Sequence, residues 1–132
     1  MGPANPSRSD LSARSESFAD CRLVSVHGRI DHTNSDSFEH TLTAAAREVP
    51  RGGGMVIDLA GLELITSAGL RALLLAQRTV SAAGAGLVVC GVRGVVREVF
   101  RIARFDTLLS VADSTEAALA QLSPAAAEAY SG

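Results

Sequence analysis

The sequence predicts a single α/β domain built on a mixed, mostly parallel β-sheet of four to five strands with about four helices. Three observations carry this. Short apolar runs alternate along the chain with segments of helical periodicity, the order that gives parallel strands joined by crossover helices. The length of 132 residues suits one compact core, because the buried fraction at this size can offset the ordering entropy of one domain. Apolar residues make up 47% of the chain and recur from residue 18 to residue 122, so nearly the whole length can feed that core.

Each element follows from local pattern. Residues 1–16 are mainly Ser, Pro and charge with two isolated large apolar positions, Met1 and Leu11, and are expected to be a flexible N-terminal segment. The domain is expected over 17–122, with 15–19 as a short partner strand. From Cys21 to Gly28 apolar and polar residues alternate, the period of a half-buried strand. Asp31 to Asp36 is dense in side-chain acceptors, and Phe38, Leu42, Ala45, Ala46 and Val49 follow at helical spacing, so a helix is expected over 34–49. Pro50 and the glycines at 52–54 stop it, and Met55 to Leu59 reads as a strand buried on both faces. A loop over 60–65 leads into a helix over 67–83. An apolar strand over 86–91, a helix over 95–103, a short strand over 108–111 and a helix over 114–122 complete the alternation. Residues 123–132 lack a periodic apolar face and are expected to be a frayed tail.

Composition removes several function classes. The chain has one Tyr and no Trp, too few π-faces for base stacking or sugar platforms. Twelve basic against fourteen acidic residues give a net charge of −2, without the positive excess that phosphate backbones require. No stretch reaches the ~20 consecutive apolar residues of a membrane span. No signal-peptide pattern opens the chain. The two cysteines, Cys21 and Cys90, each sit in an apolar run outside any CxxC pair, as buried thiols in a reducing compartment do. The expected location is cytoplasmic.

Catalytic chemistry finds no purchase. An enzyme needs a nucleophile, a base and an electrophile stabiliser that converge. The three histidines, His27, His32 and His40, fall in the first third of the chain, without metal-ligand spacing on a helix. The glycine-rich stretches near residues 84 and 91 form neither a dinucleotide fingerprint nor a phosphate loop, and lysine is absent. Asp58 and Glu63 give the one remaining acid pair, on different kinds of segment. No catalytic residue, cofactor or metal site is therefore expected.

The informative constellation surrounds Ser67. With ~100° per residue, Arg71, Leu74 and Arg78 fall within about 40° of Ser67 on the helical wheel. Leu73, Ala76, Val80 and Ala83 take the opposite half and, with Leu70 at its edge, supply the core contact, which turns Ser67 outward. Leu74 then stands between two arginines as an ordinary exposed leucine or as the centre of a small docking surface. Thr66 or Ser67 can cap the helix through a hydroxyl acceptor. Alternatively, the helix-start amides and Arg71 can hold a phosphate on the Ser67 oxygen, altering docking by repulsion and desolvation. Gly69 is read as letting a partner's backbone approach closely.

The run Val56-Ile57-Asp58-Leu59-Ala60-Gly61-Leu62-Glu63-Leu64-Ile65-Thr66-Ser67-Ala68-Gly69-Leu70-Arg71 resembles the signature of STAS domains, the anti-sigma factor antagonists. In that family a strand ending Asp-Leu leads to Asp-Ser-Ser/Ala-Gly-Leu. Gly28-Arg29-Ile30-Asp31 resembles the family's Gly-x-Leu/Ile-Asp, and the strand over 86–91 with the helix after it extends the likeness to residues 18–122. The resemblance implies a partner switch. An unphosphorylated antagonist binds an anti-sigma factor that is also a serine-protein kinase of the histidine-kinase-like ATPase fold, phosphorylation of Ser67 dissociates the pair, and a metal-dependent serine phosphatase resets it. Thr66 stands where many members carry Asp, which removes a fixed charge and leaves a second phosphorylatable hydroxyl. Asp31, Thr66, Ser67, Ala68, Gly69, Arg71, Leu74 and Arg78 are the implied partner-binding set, Asp31 having helix capping as its competing role. The competing function is a STAS scaffold or regulatory subunit of a stressosome-like or lipid-transport complex, in which the serine is structural.

Overall fold

In the computed structural model, which describes residues 11–132, two antiparallel strands come first. They are β1 (Leu11–Phe18) and β2 (Cys21–Arg29), joined by a two-residue turn at Ala19 and Asp20. Helix α1 (Ser35–Arg47), strand β3 (Gly54–Leu64), helix α2 (Ser67–Ala82), strand β4 (Gly86–Cys90) and helix α3 (Gly94–Ile102) follow. A single 3₁₀ turn (Phe105–Thr107), strand β5 (Ser110–Ala112) and helices α4 (Thr115–Leu122) and α5 (Pro124–Ser131) finish the chain.

The strands stand in sequence order, β1-β2-β3-β4-β5, with β1 antiparallel to β2 and every later pair parallel. Parallel neighbours stepping one way with right-handed crossovers put their connecting helices on one face. Accordingly α1, α2 and α3 pack over Val24, Val26, Met55, Ile57, Leu59 and Val89. The alternate residues Cys21, Leu23, Val56, Val88 and Cys90 face the other way, where Ala118, Leu119 and Ala126 of α4 and α5 cover them. The sheet is thus a middle layer buried on both sides, as the unbroken apolar run at residues 55–57 predicts.

Four expectations are corrected. Residues 11–16 are a strand and not a flexible segment: β1 is largely exposed and polar, and is held by backbone pairing along all eight positions from Leu11 opposite Gly28 to Phe18 opposite Cys21. The remainder of that segment, 1–10, lies outside the described residues. Residues 60–64 are not a loop but the extension of β3, because His27, Gly28 and Arg29 of β2 continue to pair with Gly61, Leu62 and Leu64 past a bulge. Leu108 lies in the link after the 3₁₀ turn, and the short strand starts at Ser110. The tail is helix α5, capped by the Ser123 hydroxyl accepting the Ala126 amide at 3.2 Å with Pro124 at its first position. Proline suits that position because its missing N–H would have no partner there. Buried Ala126 and an edge-to-face contact of Tyr130 with Phe18, centroids 5.3 Å apart, fasten α5 across β1.

Candidate partner-docking site

Ile65, 4% exposed, anchors the end of the β3 connection in the core and fixes where α2 begins. Thr66 is extended (φ −99°, ψ 173°) and is the N-cap, its hydroxyl accepting the Gly69 amide at 3.4 Å while its carbonyl accepts the Leu70 amide at 3.0 Å. Ser67 is therefore the first helical residue, exposed and outside the cap. Between the two capping roles considered for the hydroxyls, Thr66 has taken the cap and left Ser67 facing solvent. The first turn of α2 carries no acidic residue, so nothing offsets the positive end of its dipole.

Arg71 and Arg78 are exposed on the same face as Ser67, and Ala68 is exposed beside it. Leu74 is not the free apolar knob the wheel suggests. It is half-buried and packs against the core, because it lies toward the flank where the Gln77 side-chain amide donates to the Leu108 carbonyl at 3.2 Å. Leu70, Leu73, Ala76 and Val80 are buried as expected, whereas Ala83 follows the last helical residue and is half-buried.

Gly69 also lies inward. A β-carbon there would come within 2.7 Å of Ile65 Cγ1 and 3.0 Å of Ile30 Cγ2. Its missing side chain is used by the protein's own core, not by a partner's backbone. That contact ties the first turn of α2 to the loop after β2, whose Ile30 amide donates to the Leu64 carbonyl at 2.9 Å.

Asp31 belongs to that loop and is turned into it. Its Oδ1 accepts from the Thr33 amide at 2.8 Å and the Thr33 hydroxyl at 2.5 Å, and these bonds hold its carboxyl below the usual carboxylate range. The Asn34 side chain, 6% exposed, accepts from the Asp31 amide and donates to the Arg29 carbonyl, both at 2.9 Å. The loop is a closed set of hydrogen bonds and keeps Arg29 at the surface, so the acid's first task is turn geometry.

Behind the site, Asp58 sits midway along β3, next to the bulge. Its Oδ1 accepts the Ala60 amide at 2.9 Å and its Oδ2 accepts the Thr115 hydroxyl at 3.4 Å, while Arg93 Nε donates to the Ala60 carbonyl at 3.0 Å. Arg93, Arg97 and Arg101 also line a cleft of about 410 Å³ with Asp106, Val111 and Asp113. A shallower cleft of about 540 Å³ runs between Leu62 and Glu63 of β3 and Gly94 and Val95 of α3. Sequence reasoning passed over these arginines, although Arg97 and Arg101 stand four residues apart on α3 and Arg93, its N-cap, four residues before them.

The described residues contain no group of three or more His, Cys, Asp and Glu side chains able to hold a metal. Both thiols are buried, and burial pushes Cys21 and Cys90 up to about 11. No described helix is long and apolar enough to cross a membrane.

Comparison with known proteins gives a consistent picture. Residues 13–110 match the sequence profile of a family described as Mlab, STAS domain. Over 98 residues the chain is 36% identical to BtrV of Bordetella bronchiseptica, named as an anti-sigma factor antagonist, a match covering 74% of this chain and 83% of that protein. The fold superposes on the crystal structure of an anti-sigma factor antagonist from Mycobacterium paratuberculosis with a TM-score of 0.76 at 22% identity, covering 85% of this chain and 93% of the other. It superposes on the Bacillus cell fate determinant SpoIIAA in its phosphorylated form with a TM-score of 0.63 at 15% identity, covering 85% of this chain and 100% of that one.

Proposed function

Since this chain belongs to the STAS domain family, with an anti-sigma factor antagonist among its relatives, we propose that it is itself an antagonist whose binding to an anti-sigma factor is controlled by phosphorylation of Ser67. The unmodified protein binds an anti-sigma factor that is also a serine-protein kinase of the histidine-kinase-like ATPase fold, which frees a sigma factor. The kinase brings the ATP and transfers its terminal phosphoryl group to the Ser67 hydroxyl. The modified protein leaves, and a metal-dependent serine phosphatase restores it. This cycle runs in the cytoplasm, where ATP and sigma factors are.

One observation carries the reading: Ser67 is exposed at the first position of α2 while Thr66 does the capping. A kinase can reach the Ser67 hydroxyl without breaking a helix-holding bond. The product phosphate meets the unopposed helix N-terminus, with Arg71 one turn on. At that position nearly two negative charges weaken docking by repulsion and by the cost of desolvating them. SpoIIAA, a structural neighbour, is itself known in a phosphorylated form, in keeping with such a cycle.

The test is to incubate the chain with each such kinase of its source genome and labelled ATP. Ser67 takes the label and Ser67→Ala abolishes it; full labelling of Ser67→Ala assigns the site elsewhere. Ser67→Asp weakens kinase binding with the fold intact, and undiminished binding argues against phosphate control.

A second reading is compatible with the matched profile, whose description names a STAS domain and no sigma factor. The domain would then be a permanent subunit of a lipid-transport or stressosome-like complex with an unmodified serine. Absence of labelling by every such kinase, together with stable co-purification with a permease or scaffold, selects it.

A further inference from the structure

Strand β1 ends the sheet, and its outer edge is open among the described residues. The opposite edge, β5, has three residues, whereas β1 runs for eight with no break in its register against β2. Ser12 to Ser17 are exposed whichever face of the sheet they stand on. Proteins blunt such edges with lysine, proline, a bulge or a cover. Residues 11–18 contain neither lysine nor proline, and their ladder has no bulge. The edge is a straight template for another strand.

The backbone groups it offers follow from hydrogen-bond parity. The Asp20 carbonyl, one position before β2, accepts the Gly54 amide of β3 at 3.1 Å. Successive residues of a strand turn their backbone groups to alternate sides, so Cys21, Leu23 and Ser25 turn theirs to β1. Their opposite residues Phe18, Glu16 and Arg14 make the bonds to β2, and Ser17, Ser15 and Ala13 are left with N–H and C=O groups directed outward. Side chains alternate as well. Arg14 and Glu16 stand opposite Ser25 and Leu23, on the α4–α5 face of the sheet, and Ala13, Ser15 and Ser17 stand on the other face. The ion pairs among the described residues are Arg22 with Glu48 and Arg101 with Glu98, so Arg14 and Glu16 are both unpaired within the chain.

We propose that β1 pairs antiparallel with β1 of a second copy of this chain, about a two-fold axis through Ser15. The sequence around that point is self-complementary. Ser15 meets its own copy, Ala13 meets the second copy's Ser17, and these are the residues whose backbone groups β2 leaves free. Arg14 meets the second copy's Glu16 in the non-hydrogen-bonded position, the closer of the two cross-strand geometries, where opposite charges attract. The symmetry makes that contact twice. Centring the axis on residue 14 or 16 instead sets Arg14 against Arg14 or Glu16 against Glu16, and centring it between residues opposes outward-bonding positions to inward-bonding ones. Charge and parity together therefore select both the occupant and the register. Ser67 follows β3, two strands inward from the joint, so the pairing leaves it uncovered and presents two such sites together. The inference goes beyond the phosphorylation reading and does not depend on it.

Sedimentation velocity of the full chain is the test. One strand pair lies at the small end of specific interfaces, so a dimer is expected at roughly 50–500 µM protein and a monomer below about 5 µM. Ser15→Pro removes an outward N–H and no bond to β2, a change that edge strands tolerate. It should leave the circular dichroism melt in place and abolish the dimer. Arg14→Glu and Glu16→Arg each set like charges opposite one another and should weaken dimerisation about tenfold. Combining them as Arg14→Glu/Glu16→Arg should restore it, and so should mixing the two single variants, which then associate with each other. These charge variants decide the matter even where Ser15→Pro lowers the melt. A monomer at every concentration overturns the inference. So does a dimer that the single charge variants leave intact, or one that their combination does not rescue. A dimer that Ile102→Ser/Leu108→Ser dissolves while Ser15→Pro has no effect also overturns it, and assigns association to the exposed apolar residues on and after α3.

Discussion

Replacing Gly69 by alanine sets two effects of opposite sign against each other. In a helix alanine is better than glycine by at most ~1 kcal/mol, and by less in the first turn, where Gly69 lies. Against this, the new β-carbon would stand 2.7 Å from Ile65 Cγ1, 3.0 Å from Ile30 Cγ2 and 3.2 Å from Ile65 Cδ1. Real β-carbons essentially never sit 2.7 Å from another carbon, the other two contacts are tight as well, and neither isoleucine is a free end that can swing away: Ile65 is 4% exposed and Ile30 0%. Overpacking of a filled core costs ~1–3 kcal/mol, so the steric effect wins and Gly69→Ala is destabilising by about 1 kcal/mol net. Urea denaturation followed by circular dichroism reads this as a lower midpoint at unchanged slope. The relaxation must also push the loop after β2 away from the start of α2. Partner binding, by the kinase that labels Ser67, therefore weakens at temperatures where the variant is fully folded. A Gly69→Ala protein as stable as the parent, or more so, would refute the close packing described here and return Gly69 to a role at the partner's surface.

Removing the cap and leaving the acceptor separates the two hydroxyls: Thr66→Ala should cost ~1 kcal/mol of stability by urea denaturation, yet leave Ser67 labelled by the kinase, since the acceptor oxygen is untouched. Thr66→Asp restores an N-cap acceptor and recovers most of that loss. The cysteines give a pH prediction. Cys21 and Cys90 have folded values pushed to about 11 from an ordinary 9.0 by burial, so the folded state keeps protons that the unfolded state has lost between those values. Their stabilising effect is complete below pH 9 and is lost as pH rises from 9 to 11. A Cys21→Ala/Cys90→Ala protein should show a flatter stability profile over that range, and the native thiols should resist a disulfide reagent at pH 8 until denaturant is added.

Where a segment's own side chains decide its structure, the sequence was legible. The alternation from Cys21 to Gly28 and the apolar run at Met55 mark β2 and β3, and the period through Leu70, Leu73, Ala76 and Val80 orients α2 with Ser67 outward. Strand β1 was hidden because its side chains are exposed and its order comes from backbone bonds to β2, which no period in its own residues reports. Helix α5 was signalled by Ser123 and Pro124, but alanines carry too little hydrophobic contrast to show which face is buried. The β3 extension was hidden because its partner residues lie some 34 positions earlier in the chain. Gly69 carries a separate lesson. The wheel that turns Ser67 outward puts Gly69 about 200° away, yet an absent side chain signals close approach without saying from which side.

The division of labour between Thr66 and Ser67 bears on how the protein is kept in the cell. The hydroxyl that holds the start of α2 belongs to Thr66, so esterifying its neighbour leaves the hydrogen bonds of the fold in place. If Ser67 is phosphorylated as proposed, the modified molecule would keep that bond and would also place its phosphate at the helix N-terminus, so modification would not loosen the fold. Under the proposed cycle the protein could then be held in either form without resynthesis, its availability to the partner following the balance of the opposing enzymes.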